Sequence, residues 1–283
     1  MKKLAIVLDS FCGLDKKYVE SNENIFFVSL QIEIENKVFQ EGYDIVNLDV
    51  IEKVKNGVKA STSLPSLSIV KDLIEKLSNE YKNVIILPIA KHMSGTHDLF
   101  LNYTKEYKNM QVIDNQFVGD TYLDVSRKAI AMFDSGSNIS GIVSFIKEVN
   151  EKTIGFIIPD NLVSLINSGR LKGIKKHIIS SSNLSLIIKV STKLSFSGIG
   201  RTKTSAIKKI FNKLDKFCTD NVIVSGYVYK LFYSHGVNNL NIAKEYMKAN
   251  GIRIGAERKT SLSVLVHSGY GALYIGVTPK ILF

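Results

Sequence analysis

Cysteine is scarce in this sequence of 283 residues, and its scarcity limits the available chemistry. The two cysteines, Cys12 and Cys218, are far apart in the chain and form no C-x-x-C pair. Neither stands at a metal-ligand spacing from a histidine, and His92 and His97 are poorly spaced to share a metal ion. We therefore expect two unpaired thiols in a reducing compartment, with no disulfide framework and no metal site.

Arginine is scarce as well, which weakens the case for a nucleic-acid partner. Of the 37 basic residues 32 are lysine, and the net charge is +11. Such a charge favours polyanion binding, but the lysines are scattered and form no long basic block. Residues 202–217 have apolar side chains at helical spacing, which places the lysines of this segment largely on a solvated face. We expect no nucleic-acid partner.

Long apolar runs are missing from the sequence. No uncharged stretch approaches the roughly 20 apolar residues that a membrane-spanning helix needs. The apolar run Leu4–Leu8 ends at Asp9 and is too short for the core of a signal peptide. The sequence therefore predicts a cytoplasmic protein with no integral membrane association.

The length of the chain exceeds the usual size of one core, so two α/β domains, or one large one, are expected.

Strands and helices alternate through the first half of the chain. Apolar runs predict strands at 3–10, 84–89 and 110–114, and the segments 25–34 and 37–42 are typical of a strand pair. Helices are predicted at 60–81, from the loop after residue 94 to about 107, at 119–133, and up to about 150. This alternation predicts a mainly parallel sheet with flanking helices, forming a first α/β domain over 1–153.

The second half has a different pattern, with strands that follow one another directly. Residues 183–191 and 193–201 are typical of paired strands, residues 160–173 of a short helix, and residues 252–277 of strands joined by tight turns. Helices are predicted at 202–217 and around 241–250. The sequence therefore predicts a second α/β domain over 154–283 with a mixed or antiparallel sheet and helices.

Three loops of the first domain are candidates for binding an anion. They are Asp9-Ser10, "STSLPS" at 61–66 and "HMSGT" with Ser94, each at the end of a predicted strand or the start of a predicted helix. A helix N-terminus offers unpaired N–H groups and a partial positive charge. The alternative is that Thr62, Ser63 and Ser94 are ordinary N-caps, a commoner use of such residues.

A catalytic alternative is a serine esterase that uses Ser94 with His267 and Asp114. Its triad would follow a plausible chain order, but the position two residues before Ser94 is His92 where a nucleophile elbow has glycine. No phosphate-binding P-loop motif is present, and "GYGALY" at 269–274 is a weak dinucleotide signal. The esterase hypothesis remains open at this point.

The whole sequence resembles the DegV family of fatty-acid-binding proteins. The resemblance rests on the order and spacing of several short segments: "VLDS", "STSLPS", "SGT" and "VID" in the first half, then "LINSGRLKG", "GIGRTKTSAIKK", "SHGVNNLNIAKEY" and "VHSGYGALYIGV". Phe11 replaces the hydroxyl residue that is usual after Asp-Ser, and Leu64 stands where Gln is common. Asn115 takes the place of a serine after the central Asp, and Asn167-Ser168 replaces a Gly-rich approach to the Gly-Arg pair. These departures concern the detailed shape and the chain preference of the binding pocket.

The resemblance implies a long-chain fatty acid, such as palmitate, held between two domains. Its carboxylate is expected at Thr62, Ser94 and His267, with support from Ser63, Gly95, Thr96 and Arg170. It further implies a lipid-presenting protein with no enzymatic activity of its own and no cofactor, whose partner is a separate fatty acid kinase. A monomer is expected. Ser94 would then be an anion anchor and not a nucleophile.

Overall fold

A parallel four-stranded sheet forms the centre of the first half of the protein. The computed structural model describes residues 2–42, 44–160, 162, 165 and 184–283, with the side chains of 2, 3 and 44–47 excepted. The strand order is β2-β1-β6-β7, for β1 (Lys2–Asp9), β2 (Ile25–Val28), β6 (Tyr81–Leu87) and β7 (Met110–Val112). All pairings in this sheet are parallel, as the sequence predicts.

Helices cover the parallel sheet. They are α1 (Lys16–Glu20), α3 (Leu67–Glu80), α4 (Thr96–Thr104), α5 (Thr121–Asp134) and α6 (Ile139–Glu151), together with a short 3-10 turn at Ser10–Cys12. The predicted apolar stripe of α3 is observed, because Val70, Ile74 and Leu77 are buried. The helices α3, α4, α5 and α6 were predicted from the sequence, whereas the five-residue α1 was not.

A mixed six-stranded sheet forms the centre of the second half. Its order is β10-β9-β8-β13-β11-β12, for β8 (Ile154–Ile158), β9 (Ser185–Val190), β10 (Leu194–Gly200), β11 (Tyr227–Tyr233), β12 (Ile254–Lys259) and β13 (Leu273–Pro279). The predicted β9–β10 pair is antiparallel, and among the described strands of this sheet β11 and β12 are the one parallel pair. The helices α7 (Lys203–Asp220) and α8 (Asn238–Ala249) accompany this sheet.

A third, antiparallel sheet was not predicted. It has the order β4-β3-β5, for β3 (Gln31–Ile34), β4 (Lys37–Gln40) and β5 (Ala60–Ser63). Its apolar face, which includes Ile32 and Ile34, packs on α2 (Asp44–Lys55) and on α9 (Leu262–Ser268). Because α9 belongs to the second half of the chain, this small sheet joins the two halves.

Three of the predicted elements are corrected by the structure. Residues 60–63 are a strand and not the start of a helix, since Pro65 favours extended backbone before it and α3 begins only at Leu67. Residues 262–268 are a helix, because Ser261 accepts a hydrogen bond from the backbone N of Val264 and caps it. Residues 25–28 join the parallel sheet, so only 31–40 form the predicted hairpin.

The architecture confirms the two-domain α/β fold, with a parallel sheet first and a mixed sheet second. The boundary at 153/154 stays a prediction; it falls between the end of α6 at Glu151 and the start of β8 at Ile154. The predicted short helix at 160–173 lies almost wholly outside the described residues, as does Arg170.

Candidate functional site

A cavity of about 550 Å³ lies between the elements of the two halves. One side is formed by β5, α9 and the loop that precedes α4, and it carries Thr62, Ser94 and His267. The opposite side is formed by strands of the mixed sheet and is mainly apolar, with Ile157, Ile188, Val190, Leu194 and Tyr274. Phe11 and Leu64, two of the departures from the family pattern, also line it. Volume and lining match those of a small-molecule site.

Thr62 and His267 are brought together by the small antiparallel sheet. Thr62 pairs with Ile32, so its side chain shares the face of the sheet that packs on α9. His267 lies in the last turn of α9, and its Nε2 is 2.8 Å from Oγ1 of Thr62. This hydrogen bond fixes the imidazole against the threonine hydroxyl across 205 positions of sequence.

The loop before α4 places Ser94 on the same cavity. Its Oγ lies 2.9 Å from Oγ1 of Thr96 and accepts a hydrogen bond from the backbone N of Thr96 at 3.2 Å. Thr96 is fully buried, so it acts as a fixed support for the serine. A Cβ at Gly95 would lie 3.6 Å from Leu64 Cδ2, which is an ordinary van der Waals contact. The segments that carry Thr62 and Ser94 are therefore adjacent.

The structure gives the esterase hypothesis no support. Asp114 accepts a hydrogen bond from the backbone N of Lys91 at 3.1 Å, and its other oxygen is 3.3 Å from Lys91 Nζ. His267 is bonded to Thr62, and Ser94 to Thr96. Each of the three proposed triad members thus has its described partner outside the triad, whereas a nucleophile needs its base within hydrogen-bond reach.

The hydroxyl of Ser63 does not join the hydrogen bond between Thr62 and His267. It lines the cavity, but its hydroxyl donates to Oε1 of Gln31 at 3.2 Å on the neighbouring strand. The alternative N-cap role is not observed for Thr62 or Ser63, since the N-cap of α3 is Ser66. Thr62 and Ser63 are strand residues, and alternation along β5 turns them to opposite faces.

Sequence reasoning missed His92 as a lining residue. Its Nε2 is buried and has no hydrogen-bond partner in the described part of the chain. Burial lowers the pKa of His92 and the charge of Lys91 lowers it further, while Asp114 opposes this shift. A neutral imidazole beside Ser94 is therefore expected. The sequence feature that could have identified His92 as a lining residue is its position two residues before Ser94.

The sequence correctly predicts Asp9 at the end of a strand, but it does not predict which groups the Asp9 carboxylate binds. Its carboxylate accepts hydrogen bonds from the backbone N of Phe11 at 3.0 Å and of Ile89 at 2.6 Å, which ties two cavity-lining loops together. Burial raises the pKa of Asp9 to about 7, although both hydrogen bonds favour the charged form. Ser10 binds the buried Glu41, which also accepts from Ser263 on α9.

The arrangement suits an amphiphilic ligand with an anionic head. Hydroxyls and an imidazole can bind oxygen atoms of a head group, and the apolar strands can bury a hydrocarbon tail. Within the described ranges, no group of three or more metal-ligating side chains is found. None of the described helices combines the length and the apolar character needed to cross a membrane.

Comparison with known proteins identifies the family. The family model described as "Uncharacterised protein, DegV family" matches residues 3–280. The DegV domain-containing protein MG326 of Mycoplasma genitalium is 24% identical over 98% of both chains. The fatty acid binding DegV family protein SAG1342 of Streptococcus agalactiae has a TM-score of 0.87 at 23% identity, covering 99% of this chain and 100% of its own. A stearic acid-binding protein of Eubacterium ventriosum has a TM-score of 0.83 at 19% identity, covering 99% of both chains. The chain therefore belongs to the DegV family.

Proposed function

We propose that this protein binds one long-chain fatty acid in the cavity between its two halves. The observation that carries the proposal is the joining of Thr62, Ser94 and His267 to a single cavity whose opposite side is apolar. The structural relatives from S. agalactiae and E. ventriosum, which are described as fatty-acid- and stearic-acid-binding, have the same fold and support it. The carboxylate is held by Thr62, Ser94 and His267, with Gly95 and Thr96 shaping the loop.

The tail and the head of the ligand have different tasks. Burying about 15 methylene groups at about 0.8 kcal/mol each is worth on the order of 12 kcal/mol before the costs of association. A hydrogen bond to a charged carboxylate adds roughly 1.5–3 kcal/mol. The tail therefore dominates affinity, and the Thr62 and Ser94 hydroxyls fix the direction of the carboxylate.

We further propose that the protein presents this carboxylate to a separate fatty acid kinase, which forms the acyl phosphate. Phosphoryl transfer depends on positioning and on charge stabilisation, and a carboxylate held by fixed hydroxyls meets the first need. In this scheme residues 1–153 hold the head, 154–283 cover the acyl chain, and Arg170 assists. The protein acts as a cytoplasmic monomer without chemistry of its own, and palmitate is the first ligand to test.

Lipid binding is tested by native mass spectrometry of the purified protein, followed by identification of the released lipid. The expected result is one long-chain fatty acid per chain. The double variant Thr62→Ala with Ser94→Ala is expected to retain less lipid and to bind added palmitate roughly tenfold or more weakly. The matched double variant Ser78→Ala with Thr219→Ala removes two exposed hydroxyls elsewhere and is expected to behave as wild type.

Presentation to a kinase is tested separately with a bacterial fatty acid kinase, ATP and palmitate-loaded protein. Wild type and the Ser78/Thr219 control are expected to support acyl phosphate formation, and the Thr62/Ser94 variant to lose most of it even when loaded to the same level. Full product from that loaded variant would contradict the assigned role. A protein that stays empty when offered fatty acids would contradict the binding proposal itself.

A further inference from the structure

One polar side chain interrupts the apolar side of the cavity. Among the described lining residues on β8, β9, β10 and β13, Tyr274 is the only one with a polar atom; the others are Ile157, Ile188, Val190 and Leu194. Tyr274 is 5% exposed and lines the cavity, and none of the hydrogen bonds found among the described residues involves its hydroxyl. Buried tyrosine hydroxyls usually find such a partner.

The ring of Tyr274 is held in a fixed position by its neighbours. It stacks on Phe232, with ring centroids 5.6 Å apart and planes at 20°. It also lies across Gly155 and Gly276, which pair with each other on β8 and β13. A Cβ on either glycine would overlap the hydroxyl end of the ring. The two glycines therefore leave the space in which the phenol rests, and the hydroxyl cannot turn far in search of a partner.

Two other hydroxyls that line this cavity, one just before α9 and one in its first turn, are already engaged. Thr260 Oγ1 lies 2.9 Å from Ser234 Oγ, and Ser263 donates to Glu41 at 2.6 Å. Burial raises the pKa of Tyr274, so its hydroxyl stays protonated and able to donate. An acyl chain made only of methylene groups would expel water from this hydroxyl and leave it unsatisfied, at a cost.

We propose, on the basis of the proposed fatty-acid-binding function, that Tyr274 selects an acyl chain carrying an oxygen function, a hydroxyl group, at the carbon that reaches this phenol. The ligand hydroxyl accepts a hydrogen bond from Tyr274, so the phenol keeps a partner when water is expelled. This residue determines the class of tail, whereas Thr62, Ser94 and His267 determine the position of the head. The preferred ligand is therefore a monohydroxy long-chain fatty acid.

The test compares dissociation constants of delipidated protein for octadecanoic acid and for a positional series of monohydroxy octadecanoic acids. Wild type is expected to prefer one position of the series over octadecanoic acid. In Tyr274→Phe that preference is expected to fall by roughly tenfold, the effect of one lost hydrogen bond, while octadecanoic acid binds as well or better. Tyr229→Phe is the matched control: its hydroxyl bonds to Asp215, it does not line the cavity, and the preference should persist.

The outcomes separate this inference from the function on which it rests. Wild type that binds octadecanoic acid but prefers no hydroxy acid would overturn the role of Tyr274 and leave the fatty-acid proposal standing. A preference that survives in Tyr274→Phe would also overturn it. Wild type that binds none of the acids would overturn both. Retained binding of octadecanoic acid by Tyr274→Phe serves as the check that this variant is folded.

Discussion

Single residues at the carboxyl ends of the parallel strands set the shape of the polar part of the cavity. Asp9 is the clearest case, because one carboxylate receives backbone N–H groups from two loops that both line the cavity. Its 1% exposure removes the water that normally stabilises the charge. The sequence shows an aspartate after a strand, but not that a second loop would close over it.

Asp9 gives the protein a pH-dependent stability. Its pKa is raised from 3.8 to about 7, so over that range the folded protein keeps a proton that the unfolded chain has released. The free energy of unfolding contributed by this group is therefore greatest at low pH and falls as pH rises towards 7, by up to about 1.4 kcal/mol per unit. Asp9→Asn should reduce this slope, as measured by urea unfolding at a series of pH values; the buried Glu41, whose pKa burial also raises, contributes the remainder.

The control for the Asp9 experiment is Asp72→Asn, which changes an exposed carboxylate on α3. This variant should reproduce the pH dependence of wild type. If the curves of wild type and Asp9→Asn run parallel between pH values of about 4 and 7, Asp9 does not titrate in this range.

At the scale of elements, α9 and β5 carry the site, and both were missed in the sequence. Long helices such as α7 were predictable because their apolar residues repeat over several turns; Ile207, Ile210 and Leu214 are all buried as expected. In contrast, the seven residues of α9 form a short apolar run whose periodicity cannot distinguish helix from strand. The motifs pointed to Thr62, Ser94 and His267, but the Thr62–His267 bond depends on tertiary packing.

Because α9 positions His267, loosening α9 should affect binding beyond its effect on stability. Leu265 is fully buried between α9 and the small antiparallel sheet. Leu265→Ala should lower the free energy of unfolding by about 2–5 kcal/mol and also weaken palmitate binding by the folded protein. Leu214→Ala truncates an equally buried leucine on α7, in a separate core cluster, and should cost similar stability with unchanged binding. Equal binding losses in the two variants would show that α9 does not position the site.

At the scale of the whole molecule, the two halves are joined by an ionic cluster centred on the buried Lys230, as well as by the small antiparallel sheet. Lys230 on β11 is 5% exposed and contacts Asp120 at 2.7 Å and Asp124 at 3.0 Å, both from the α5 region. Arg258 on β12 adds a contact of 2.9 Å to Asp120. The sequence did not predict contacts among these four residues, because the two cations are far from the two aspartates in the chain and charged residues are scattered along it.

Removing Lys230 should therefore weaken the connection between the halves. Lys230→Ala leaves the carboxylate of Asp120 largely buried with one of its two cationic partners lost, and breaking a buried pair typically costs about 3–5 kcal/mol. We expect a lower midpoint of urea unfolding and, because the second half is less firmly tied to the first, unfolding in two transitions where wild type shows one. Lys244→Ala is the matched control: it breaks the more exposed pair with Glu257 at 2.8 Å on the same half and should cost less than about 1 kcal/mol. A Lys230→Ala variant as stable as this control, with a single transition, would mean that apolar contacts alone hold the halves together, and the cavity between them would not depend on the ionic cluster.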